Sequence, residues 1–562
     1  MDEFSAEDLY KGLLGWGLFA DKLPPMFTSE PFMRFWAERK QGCEEERSDW
    51  ISFSYIRNVG IKRDFGIPSP FAYEKLVRHI SAYWDEIRAV LRDNTRGHPY
   101  RISRVHIRKR KDASSLFNMN YHCWPIEEDP LPALMIGNRF VVNCDISRCF
   151  PSIYTHALDW AILGKERAKR NAHGKECLWS HNLDRYAMNA TNGETHGLLV
   201  GPHASNLLSE LILTRVDGEL FKKGYRFLRR IDDYCCYVDS EAQGRSFILD
   251  LEAELHVYGL STNQKKTKVR KLPLAMADDW VTILKNNVPS GDTVRKGDVE
   301  RFIDTAIAVM GESDNSSTLS YAFGVLSGLP MDHWAREYYG DISLHLAYAL
   351  PYLLPFLEER VIEAAKIPTD RIKTFANLLF RKSLAERDYL SASYAVYYAI
   401  RYGFEIDELS TQKGIVVLLE ADDCILCTCA LEYSQRRRLV ALRDSLIEHA
   451  LELAKDEGDF QRNWLFAYEA LSVRQIPAFA NGAWRAIKRK RISFIDRAYL
   501  DTPTNNEEPI EEVLRALNEK LGLDEKPVRK SLSWGMPMSS EATLFIHDRA
   551  RLGLLGSLHV YP

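Results

Sequence analysis

Three aspartates have the type and spacing for metal-assisted phosphoryl chemistry. Asp145 ends the apolar run FVVNCD, and Asp232 and Asp233 form a doublet inside YRFLRRIDDYCCYVD. Nucleotidyl transfer uses two divalent cations about 4 Å apart, one activating the attacking hydroxyl and one holding the triphosphate. Mg²⁺ takes hard oxygen ligands, so two or three carboxylates on rigid strands suffice to hold it. Adjacent carboxylates in apolar surroundings repel one another and lose hydration, and a bound cation offsets both penalties. A doublet by itself says little, because Asp278-Asp279 and Asp422-Asp423 occur in the same chain. The surroundings of 232–233 decide the matter.

Those surroundings predict elements able to fix the three acids. FVVNCDIS reads as a buried strand, and YRFLRRIDDYCCYVD as two strands around a tight turn at Ile231-Asp232-Asp233. Between them, GPHASNLLSELILTRVDGELFKKG has apolar residues at helical spacing after a Gly-Pro start. ILDLEAELHVYGLSTN is a second amphipathic helix, ended by Gly259. The pattern changes at the Pro/Gly/Ser/Asp-rich stretch 286–298. Beyond it helical periodicity dominates, as in RFIDTAIAVM, DISLHLAYAL, RIKTFANLLFRKSL, YLSASYAVYYAIRYG and LRDSLIEHALELAKDEG, which suggests stacked helical pairs. The expectation is an α+β domain over 1–290 and an all-α helical-repeat domain over 291–562.

The order of motifs resembles that of reverse transcriptases. DISRCFPSIYTHAL (145–158) resembles their motif A, GLLVGPHASNLLSE (197–210) motif B, RIDDY (230–234) the Tyr-x-Asp-Asp box, STNQKKTKV (261–269) motif D, and RNVGIKRDFGIPSPFAYEKL (57–76) the fingers motif. The resemblance implies a right hand of fingers and palm and a metal site on Asp145, Asp232 and Asp233 holding two Mg²⁺ ions, with Mn²⁺ as a substitute. It implies phosphate contacts from Arg63 and from Lys266 or its neighbour Lys265. It implies a close approach to the incoming base pair at Gly201, and a ring at Phe150 that excludes a ribose 2′-hydroxyl. Two positions depart from the pattern: the box begins with Arg230 instead of Tyr, and Val200 stands where many members carry Gln. Both positions contact the primer or template side in the family, so template handling is what they put in doubt.

IYTHALDWAILGKERAK (153–169), ETHGLLVGPHASNLLSE (194–210) and GLFADKLPPMFTSEPF (17–32) are similar to bacterial abortive-infection reverse transcriptases of the AbiK-like group. That group implies antiphage defence, and the cysteine usage independently suggests the reducing cytoplasm. The group also implies untemplated synthesis from dNTPs, a protein hydroxyl as primer, single-stranded DNA left covalently attached, and a homo-oligomer (trimer or hexamer). Tyr10 is the favoured primer, with Tyr55, Tyr397, Tyr398 and Tyr499 as alternatives. Two other readings stay open: a templated enzyme with a dedicated RNA, and a non-catalytic phage-sensing protein.

Composition bounds these readings. The 562 residues are 46% hydrophobic and 27% charged, which supports a large core. Net charge is −4, so any positive field must be local, at Arg101–Lys111, Lys265–Lys271 or Lys488–Arg491. Ten cysteines at scattered positions do not form a disulfide framework, and Cys424, Cys427 and Cys429 read as buried thiols of an apolar helix. His156 and His196 read as structural. No signal peptide or membrane span is expected.

Overall fold

The computed structural model describes residues 5–103 and 130–506, apart from short breaks at 40–41, 45, 59–60, 172–174, 275–278, 314–316 and 481. It also describes 107–108, 118–119, 512–513 and 515–516. Most of the basic run 101–111 and the irregular C-terminal stretch lie outside the described residues.

The first elements are α1 (Ala6–Trp16), the antiparallel hairpin β1 (Ile51–Asn58) and β2 (Ile61–Ile67), and α2 (Pro70–Ala82). A capping box starts α1: the Ser5 hydroxyl accepts from the Asp8 N–H, and Asp8 accepts from the Ser5 N–H. The hairpin is pinned by the stacked rings of Phe53 and Phe65, 5.4 Å apart. The sheet-bearing portion includes β3 (Phe140–Asp145), α3 (Cys149–Ser152), α4 (His203–Lys222), β4 (Arg226–Arg230), β5 (Asp233–Val238), α5 (Glu241–Val257) and β6 (Lys268–Lys271). The four strands form one antiparallel sheet in the order β4-β5-β3-β6. Val142, Cys236 and Val238 face the core, so Val141, Asn143, Asp145, Asp233 and Tyr237 alternate onto the other face. Helix α5 lies on the core face: a Cβ at Gly244 would come 3.1 Å from Val142 and 3.4 Å from Val269.

After residue 290 the named elements are helical throughout the described residues. They include α6 (Lys296–Ser313), α7 (His333–Ala349), α8 (Thr369–Glu386), α9 (Tyr389–Tyr402), α10 (Cys424–Arg437), α11 (Val440–Leu453) and α12 (Trp464–Ala470). Helix α9 is buried along nearly its whole length and forms the centre of this half. The second Asp-Asp doublet has a structural task. Asp422, at φ 47°, ends one helix, and the Asp423 side chain caps the start of α10 by accepting from the Leu426 N–H. Cys424, Cys427 and Cys429 are buried on α10, as expected.

The helical half shares its core with the N-terminal segment. Phe19 meets Trp464 and Phe494, Phe32 meets Phe494, and Phe71 meets Trp484 edge-on at 4.7 Å. The Tyr394 hydroxyl donates to the Leu23 carbonyl and the Tyr55 hydroxyl to the Tyr352 carbonyl. Residues 9–36 thus form a seam between the strand-bearing part and the helices.

Candidate metal centre

Register brings the acids together. Asp145 and Asp233 are direct partners across β3 and β5, which puts their side chains on one face at one end of the sheet. Asp232 occupies the two-residue turn between β4 and β5, with Ile231. The ligand oxygens of Asp145, Asp232 and Asp233 all lie within 4.8 Å of one another. A single small cation could therefore touch all three, and the donor set is the hard-oxygen kind that Mg²⁺ or Mn²⁺ takes.

The surroundings already answer the negative charge in part. The Lys266 ammonium lies 3.1 Å from Asp145 Oδ1, and the Asn263 side-chain amide donates to Asp145 Oδ2 at 3.1 Å. The Asn263 backbone N–H donates to the Asp145 carbonyl at 2.7 Å, so the loop before β6 is fastened to the end of β3. Lys266 stands where a metal would otherwise balance Asp145, on a side chain 59% exposed and free to swing away. Lys265 is exposed beside it. Arg63, opposite Tyr55 on the hairpin, is close enough for its charge to lower the Asp232 carboxyl. The hairpin is held there by the Gly66 N–H, which donates to the Val200 carbonyl.

Burial, and then Asp145, push the Asp232 carboxyl upward, against the pull of Arg63 and Lys266. Asp233 reaches solvent at the mouth, yet desolvation by the cleft walls, followed by Asp232 and Asp145, pushes it up to about 6. A folded carboxyl titrating above its ordinary 3.8 stabilises the metal-free protein fully below about pH 4 and loses that contribution as pH rises through about 6. A cation competes with the same proton, so metal affinity should rise across that window. Mn²⁺ binding, measured by calorimetry in buffers of different ionisation enthalpy, should release about half a proton at pH 6 and almost none at pH 8. Equal release at both values would contradict this charge balance.

The other expected residues fall into two groups. Phe150 is buried in α3, the turn that follows Asp145, and its carbonyl accepts from the Leu198 N–H at 2.9 Å. Gly201, at φ 125°, sits where a Cβ would come 3.2 Å from that of Ala20 and 3.4 Å from the Gly66 carbonyl. Tyr10 does not join the acids. Its ring is buried against α2, its hydroxyl donates to Glu74 at 2.8 Å and accepts from Arg78 at 2.7 Å, and burial and Glu74 hold the phenol far above its ordinary range. Tyr397 and Tyr398 are likewise buried, the first bonded to Glu358 and Tyr499 and the second to the Leu354 carbonyl. His156 pairs with Asp184, and His196 packs on the Tyr154 ring.

Two residues escaped the sequence reading. Asn263 lies within the quoted STNQKKTKV stretch without being singled out. Arg229 is the residue before Arg230, and it is fully buried against Glu210 and Asp217. The signal for it was a pair of acids seven residues apart on the α4 helix, two turns on one face, with an arginine following.

No protein-family model matches the chain, and no curated protein matches it. Among solved structures it is similar to apo telomerase from Candida tropicalis truncated from its C-terminal domain, at 12% identity and TM-score 0.27, covering 42% of this chain and 52% of that one. It is also similar to apo telomerase from Candida tropicalis, at 11% and 0.30, covering 73% and 70%. A third is telomerase from Candida albicans in complex with a TWJ fragment of telomeric RNA, at 12% and 0.25, covering 60% and 63%. The chain thus spans about half the length of the first of these. Scores this low leave the geometry of the site to carry the argument.

Proposed function

We propose that this chain is a metal-dependent nucleotidyltransferase of the reverse-transcriptase type, built on the AbiK-like plan for antiphage defence. The observation that carries the reading is the convergence of Asp145, Asp232 and Asp233 within 4.8 Å, next to the cations of Lys266 and Arg63. The three carboxylates would hold two Mg²⁺ ions, whose chemistry when bound is to polarise the phosphate oxygens and lower the pKa of the attacking hydroxyl. The chain's own residues do the rest. Lys266 leaves Asp145 and, with Arg63, neutralises the triphosphate of a dNTP. Phe150 closes under the deoxyribose, and the turn at Gly201 leaves room for the base pair. A hydroxyl then attacks the α-phosphorus, pyrophosphate leaves with the bonding electrons, and the hydroxyl proton passes to water.

Untemplated, protein-primed synthesis by a homo-oligomer belongs to the same proposal. Tyr10 is the favoured primer, and α1 must undock from Glu74 and Arg78 for its hydroxyl to serve. Purified protein given labelled dNTPs and Mg²⁺, with no template or primer, should acquire label that protease converts to free DNA. Asp232→Asn should abolish it. Loss of that label in Tyr10→Phe assigns the primer, and its retention places the primer on another hydroxyl. Incorporation that appears only with an added RNA or DNA strand would replace this reading with a templated one.

A further inference from the structure

The turn that carries Asp232 is strained and is held from inside the protein. Ile231 has φ 53°, in the left-handed region that a β-branched side chain avoids. In a two-residue hairpin loop this position calls for Gly, Asn or Asp. Such a conformation persists when its surroundings over-determine it. Here two successive carbonyls are fixed. The Ile231 carbonyl accepts from Arg229 Nη1 at 2.9 Å, and the Asp232 carbonyl accepts from the Ile146 N–H at 3.0 Å, one residue beyond Asp145. The peptide groups on both sides of the Asp232 Cα are therefore oriented.

Arg229 is itself immobile. It is 0% exposed and uses all five of its N–H donors. Nε donates to Asp217 (2.9 Å), Nη2 to Asp217 (2.7 Å) and Glu210 (3.1 Å), and Nη1 to Glu210 (3.0 Å) and to the Ile231 carbonyl. Both carboxylates project from α4, and the Arg229 backbone N–H is taken by the Ile102 carbonyl. Two buried acids on one helix, bridged by one arginine, are a costly way to stabilise a core. They are well suited to fixing a direction.

We infer that Arg229 is a positioning residue: clamped by Glu210 and Asp217, it holds the Ile231 carbonyl so that the left-handed turn aims the Asp232 carboxylate at Asp145 and Asp233. The inference rests on the metal-site part of the proposal above, not on polymerisation itself. Removing only the arginine strands two buried carboxylates and destabilises the fold for that reason alone, so the informative variant replaces the whole cluster. Glu210→Met, Asp217→Leu and Arg229→Met together leave an apolar trio of similar volume with no stranded charge. Mn²⁺ binding to the full chain, followed by electron paramagnetic resonance, should be about tenfold weaker in this triple variant than in the wild type, while thermal melting still shows one cooperative transition. A folded triple variant that binds Mn²⁺ as tightly as the wild type would overturn the inference. Nucleotide incorporation measured on the same samples reports separately on the polymerase reading: wild-type protein that binds Mn²⁺ but incorporates nothing refutes that reading and leaves the positioning role to be judged by the binding ratio.

Discussion

Asp232→Asn should lower nucleotide incorporation by about a thousandfold or more, the loss of roughly 4 kcal/mol of metal-assisted transition-state stabilisation. The same substitution should raise the melting temperature of the metal-free protein. The two effects share one cause. Asp232 is half-buried beside Asp145 and Asp233, and its ionised form is disfavoured until a cation arrives. A neutral amide removes that repulsion and with it the ligand. In the wild type Mg²⁺ should raise the melting temperature, since a ligand that binds only the folded state stabilises it by mass action, and Asp232→Asn should lose most of that shift. A variant that stays active, or that melts lower without metal and still gains the full increment from Mg²⁺, would remove Asp232 from the metal site.

The second large effect concerns folding. Arg229→Met alone should cost about 3–5 kcal/mol, because it strands two carboxylates in the interior. Asp217, at 1% exposure, is already pushed upward by burial and is kept down chiefly by the Arg229 charge. Such a loss is a large share of the 5–15 kcal/mol that typically holds a domain together. Chemical denaturation should show it as a lower midpoint with an unchanged slope. Adding Glu210→Met and Asp217→Leu to Arg229→Met should recover most of the loss. If the single substitution is as stable as wild type, the cluster is not the buried ion network that its distances describe.

Much of the site was legible because its elements obey simple periods. The strand ending in Asp145, the hairpin around Asp232 and Asp233, and the helices at 203–222 and 241–257 all follow from alternation or helical spacing. So does the helical character of the second half. The partners were harder to see. Arginine is among the residues least often found fully buried, so Arg229 read as part of a charged strand. Asn263 acts through loop geometry that has no period. Lys488 belonged to one of the runs that could carry a local positive field, yet its ammonium donates to the carbonyls of Tyr468 and Glu469 and its charge is suppressed by burial. For Tyr10 the partners Glu74 and Arg78 were not legible, because amphipathic spacing shows that a face is covered without naming what covers it. The roles of Phe150 and Gly201 toward a nucleotide came from the family resemblance and from no period in the chain.

The seam between the two halves has a consequence for synthesis on the ribosome. Phe19 and Phe32 emerge early, but Trp464, Trp484 and Phe494, against which they and Phe71 pack, emerge more than four hundred residues later. At about 5–20 residues per second that delay is roughly twenty seconds to a minute and a half. During it the first apolar helices lack their permanent cover, and the strand-bearing part must wait for the last helices before its outer wall closes. Nascent chains released before the final third is made should therefore depend on chaperones that shield exposed apolar surface.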